Sequence, residues 1–118
     1  MKELKKPKLY RKLYQLLKFL YQTVDNFEKQ YKYSLGEEIL KLAWQCMDLV
    51  VKANALSKET KQGKIRKLSI AFDQLKIRLR MAQELDQLSE GQFSQLQTEH
   101  MKEAGKLIGG WVKWSNNE

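Results

Sequence analysis

At 118 residues the chain is long enough for one apolar core without staples and too short for two, so a single domain over residues 1–118 is expected. One proline, six glycines and an abundance of Leu, Lys, Gln and Glu exclude a β-rich chain, and the lone Cys46 excludes an intramolecular disulfide and a Cys-based zinc site. A net charge of +8 points to polyanionic partners, nucleic acid ahead of an anionic membrane, and the single thiol fits a reducing, cytoplasmic setting.

The basic N-terminus is followed by apolar residues broken every few positions by Lys, Arg, Gln or Asp, which excludes a signal peptide and a spanning helix. From there Tyr10, Leu13, Leu17, Leu20, Val24 and Phe27 alternate steps of three and four, with Tyr14 and Tyr21 widening the stripe, and predict a first helix over 9–29. Ser34 followed by Glu37 has capping-box spacing, so a second helix is expected over 35–56 with Leu35, Ile39, Leu42, Cys46, Leu49 and Ala53 inward. Ser57 is positioned to cap a third, 58–86, in which Gly63 frays the first turns and Ile65, Leu68, Phe72, Leu75, Leu79 and Ala82 face the core. Ser89 with Gln92 forms another capping box, opening a fourth helix, 90–113, along which Phe93, Leu96, His100, Ala104, Leu107 and Trp111 share a face. Short connections force sequential helices to lie antiparallel, giving an all-α, up-down-up-down four-helix bundle. Disorder is expected only at the ends, Met1 to Pro7 and Ser115 to Glu118.

Helix two carries a second apolar stripe, Leu40, Trp44, Met47 and Val51, roughly opposite the first, and helix three repeats it with Ile70, Ile77 and Met81. Two doubly apolar helices in so small a domain predict an interface for self-association. The bland alternative is a splayed bundle that covers the second stripe itself. Charge is clustered as well: residues 1–18 hold seven basic and one acidic side chain, and 58–80 hold eight and two. On helix three, Arg66, Lys76 and Arg80 flank one side of the core stripe and Lys64, Lys67 and Arg78 the other, with Arg11 and Lys12 on helix one. Repeated around a symmetric oligomer, these residues make a basic band that holds RNA or DNA by its phosphates without reading bases. For any single lysine, a solvated face is the plainer reading.

No catalytic constellation emerges. His100 lacks a companion and reads as a buried, hydrogen-bonded structural residue; Glu99 and Glu103 lack the inward carboxylates and Glu-x-x-His pairs of a di-metal bundle. Gly109 and Gly110 lack the context of a phosphate loop, and Gly105 with Gly109 reads as a packing device. Trp111 and Trp114 read as core or interface residues rather than base-stacking platforms. No cofactor and no metal are expected.

The stretch LKIRLRMAQELDQLSEGQFSQLQTEHMKEAGKLIGGWVKW, from Leu75 to Trp114, resembles the bacterial four-helix-bundle proteins that include the accessory variability determinant, Avd, of diversity-generating retroelements, and the related ribosomal RNA intervening-sequence proteins. The segment YSLGEEILKLAWQCMDLVVKA looks like that family's second helix, and Glu103, Gly105, Gly109, Gly110 and Trp111 match an E-x-G-x-x-x-G-G-W ending. The resemblance implies a homopentameric basic barrel that binds the element's reverse transcriptase and nucleic acid during mutagenic complementary-DNA synthesis, a helper and not an enzyme. It also implies contacts at Arg78 and Arg80, while Glu37 and Glu38 stand where Avd-type relatives are richer in arginine. One rival is a structural or rRNA-binding protein of the intervening-sequence type. Another is a peripheral membrane binder using the Tyr and Leu face of helix one opposite Arg11, Lys12 and Lys18, although no membrane partner is expected.

Overall fold

Proline suits a helix's first residue, where its missing N–H has no partner to lose, and Pro7 opens α1 (Pro7–Val24). The computed structural model describes residues 7–116, so the expected disorder of Met1 to Lys6 and of the last two residues lies outside the described part. Ser115 and Asn116, by contrast, are helical and Ser115 is buried, because the last helix runs on past the expected end. Leu9, Leu13, Leu16, Leu17, Leu20 and Val24 form the buried face of α1, while Tyr14 and Tyr21 are half exposed and lie beyond it.

The first helix stops at Val24, short of residue 29. A turn carries Phe27 back into the core, and Lys29–Lys32 add one helical turn. No capping box forms at Ser34, whose hydroxyl donates backward to the Gln30 carbonyl (2.7 Å). Helix α2 (Leu35–Asn54) buries Leu35, Ile39, Ala43, Cys46, Met47, Leu49, Val50 and Ala53. Leu42 is half-buried against this core.

Helix α3 (Lys58–Glu84) passes through Gly63 without interruption and buries every apolar position expected of it. Ser57 precedes it in extended conformation, but its hydroxyl meets Thr60 Oγ1 rather than a backbone amide. It ends in a Schellman turn: Asp86 takes a left-handed φ of 63°, the Gln87 N–H donates to the Ala82 carbonyl and the Asp86 N–H to that of Gln83.

The fourth rod, α4 (90–116), comprises Glu90–Leu96, a π-helical turn at Gln97–Met101 and Lys102–Asn116. Its start has the expected reciprocal cap between Ser89 and Gln92. The π turn inserts one extra residue, so the face that begins at Leu96 continues at Met101, Ala104, Ile108 and Trp111. His100 and Leu107 are thereby rotated to the core's edge, where both are half-buried.

Around the bundle α1 packs on α2 and α4, and α3 packs on the same two. The Glu28 N–H donates to Gln87 Oε1 (2.7 Å) between the two loops at one end, and Gln62 bonds Asn116 (2.8 Å) at the other. Both contacts are those of antiparallel neighbours. Gly36 lets α2 approach α1 closely, since a Cβ there would lie 2.7 Å from Val24 Cγ1. Gly105 likewise seats the Phe72 ring, whereas nothing lies within 4 Å of such an atom at Gly109, so only the first of the two acts as a packing device within the chain.

Candidate assembly and nucleic-acid surfaces

The second apolar stripe of α2 divides. Met47 is buried in its own core and Leu40 is half-buried against it, because α1 covers a wider arc of α2 than the first stripe alone implies. Met47 is thereby closed off within its own subunit, while Leu40 keeps part of its surface open. Trp44 and Val51 stay on the surface, and the Trp44 indole N–H donates to the Tyr21 hydroxyl (2.9 Å). On α3, Ile70, Ile77 and Met81 are all more than half exposed, Ile77 the most at 63%. With Gln74 between them, they run along the side of the rod that faces away from Leu75 and Leu79.

The basic residues do not form one surface. Lys64 and Lys67 turn toward α2, whereas Lys76 turns toward α4, where it pairs with Asp73 (3.4 Å) and sits over Phe72. Arg78 is already engaged, its Nε 3.2 Å from Glu38 and its Nη1 on the Gln74 carbonyl. Arg66 and Arg80 are exposed on the outer side of α3. On α1, Arg11 is exposed and Lys12 reaches across to the Glu99 carbonyl (3.4 Å).

Lys64 and Lys67 face partners that the charge pattern of α3 did not reveal. On α2, Lys41, Gln45, Asp48 and Lys52 recur at steps of four, three and four, a polar stripe beside Leu42 and Leu49. Antiparallel packing lays it against α3, enclosing a groove of about 450 Å³ lined by Lys41, Trp44, Gln45, Asp48, Leu49, Lys52, Lys64 and Lys67. Among the described residues no carboxylate pairs with any of these four lysines, whereas Lys32 pairs with Asp25, Lys76 with Asp73 and Arg78 with Glu38. The spacing on α2 was the signal available in the sequence.

His100 sits over Phe19, ring centroids 4.8 Å apart, with Nδ1 buried and unbonded among the described residues. Burial pulls its pKa below the ordinary value and Lys12 adds to this, against an opposing pull from Glu99, so the ring is neutral at pH 7. Among the described residues Nδ1 lacks the expected hydrogen bond, and packing against Phe19 takes its place. No group of three or more His, Cys, Asp or Glu among the described residues is arranged to hold a metal ion. At the far end of the bundle Trp111 is buried and Trp114 exposed, with Lys58 stacked 4.6 Å from the Trp114 ring. No helix among the described residues is long and apolar enough to cross a membrane.

Among the described residues, a bundle of four rods without strands, with lysines in one groove that no carboxylate pairs and bare aliphatic side chains beside it, defines a class of small basic helical-bundle proteins. A family model described as bAvd-like matches residues 9–115, and the chain belongs to the bAvd-like family. No curated protein and no solved structure matches the chain.

Proposed function

We propose that the chain is a non-catalytic accessory protein of a diversity-generating retroelement, which assembles with copies of itself and binds the element's reverse transcriptase together with RNA or DNA during mutagenic complementary-DNA synthesis. Family membership supports the accessory role. The observation that carries assembly is the exposed aliphatic row Ile70, Ile77 and Met81, accompanied by Val51 on the neighbouring rod. Exposed side chains of that size on a small domain lose more free energy to water than a surface normally tolerates, and burying them against another copy recovers it. The net charge of +8 supports the nucleic-acid part, because lysines that meet phosphates release condensed counterions.

Light scattering on the purified protein tests assembly directly: five copies of a 14.0 kDa chain give a particle near 70 kDa. Pairing Ile77→Asp with Met81→Asp should return it to a monomer with unchanged helicity. A wild-type protein that stays monomeric at micromolar concentration removes the assembly reading. Failure to co-purify with a reverse transcriptase encoded beside its gene removes the polymerase reading.

A further inference from the structure

The α2–α3 groove combines two features that the accessory role leaves unassigned. Lys41 and Lys52 on one wall and Lys64 and Lys67 on the other converge without a carboxylate partner among the described residues, against a single Asp48. Left unneutralised, four ammonium groups facing one concavity repel one another and raise the local potential, a cost that an incoming polyanion reverses. Beside them is Trp44, which lines the groove, is 41% exposed and is fixed through its N–H to the Tyr21 hydroxyl. An indole held in one orientation loses little entropy when a flat group stacks on it.

We infer that this groove is the track for a single strand of nucleic acid, with the lysines on its phosphates and Trp44 as the platform for an unstacked base. The inference deepens the nucleic-acid part of the reading above and rests on it. Lys41 and Lys52 are eleven residues apart, about 16 Å along a helix, which spans roughly five nucleotides at the ~3.4 Å rise of a stacked strand and fewer where a base leaves the stack for Trp44. A duplex keeps its base faces inside the stack, so it presents nothing to Trp44 and gains only the phosphate contacts. Asp48 disfavours phosphate at its own position and accepts hydrogen bonds from a sugar hydroxyl or an exocyclic amine instead.

The test measures fluorescence anisotropy of labelled 20-nucleotide single strands and of the matching duplex. The proteins compared are the wild type, a groove variant (Lys41→Gln, Lys52→Gln, Lys64→Gln and Lys67→Gln together), and a control with equal charge loss at exposed lysines outside the groove (Lys29→Gln, Lys102→Gln, Lys106→Gln and Lys113→Gln). Circular dichroism checks that each is folded. The groove variant should lose more than tenfold in single-strand affinity, with its log-log salt slope shallower by about 3, while the control loses less than threefold. Trp44→Ala should weaken the single strand about tenfold and the duplex by less than twofold; Trp44→Phe, which preserves packing, should retain most of the affinity. Equal losses in groove and control variants overturn the track while leaving general binding intact. Unchanged strand affinity in the groove variant also overturns it and assigns the groove to an acidic protein surface. A wild type that binds no nucleic acid at all overturns both this inference and the reading beneath it.

Discussion

Gly36 shows how one missing methyl sets the distance between two rods. A Cβ at this position would stand 2.7 Å from Val24 Cγ1 and 3.3 Å from the Tyr31 carbonyl oxygen, and the second of these belongs to backbone that cannot rotate away. Gly36→Ala is therefore expected to destabilise the fold by about 1–3 kcal/mol, the usual cost of overpacking, read from the urea midpoint. Combining it with Val24→Ala should cost less than the sum of the two single changes, because the truncated valine vacates the space the new methyl needs. An additive result would mean that the glycine serves backbone freedom and not close approach.

Each rod has its own relation to its sequence pattern. The Ser89 hydroxyl accepts the Gln92 N–H and the Ser89 N–H donates to Gln92 Oε1 in return, whereas Ser34, with the same spacing to Glu37, caps nothing. Ser89→Ala should therefore lower stability by about 1 kcal/mol and Ser34→Ala by less than about 0.5 kcal/mol in parallel thermal melts, although the sequence presents them as equivalents. The turn decides between them: Lys29–Lys32 offer Ser34 a nearby carbonyl at Gln30, and the hydroxyl takes it. The stripe of α3 was legible throughout, from Ile65 to Ala82, because an uninterrupted rod between two neighbours keeps one period from end to end. On α2 the pattern placed Met47 outside, since a residue at the edge of an arc is covered or bared by the adjacent rod and not by its own helix. The same limit applies to the groove. Lys64 and Lys67 were readable as a basic flank, but Lys41 and Lys52 joined them only once it was known which rod stands beside α3.

For the molecule as a whole, the centre is closed. Cys46 is fully buried, and burial pushes its thiol up to about 12 from an ordinary 9.0, so at pH 8 it is both covered and protonated. Alkylation by iodoacetamide should be undetectable in the folded protein over hours and should track loss of helicity as denaturant rises; labelling that precedes unfolding would reveal a local opening of the core. The sign of the linkage follows: the unfolded chain loses this proton first, so Cys46 favours the fold below about pH 9 and that contribution fades as pH climbs toward 12. The π turn at Gln97–Met101 bears on the whole chain in another way. Because the turn holds one residue more than a regular helix, excising a single codon between Leu96 and Met101 would leave Met101, Ala104, Ile108 and Trp111 following Leu96 at steps of four, three, four and three, the ordinary α-helical period. Ile108 and Trp111 would keep their register, whereas the same excision after Glu84 would break the Schellman turn at Asp86 and Gln87. Deleting Thr98 should therefore leave helicity and melting temperature close to wild type, whereas deleting Asp86 should lower the melting temperature, both read by circular dichroism.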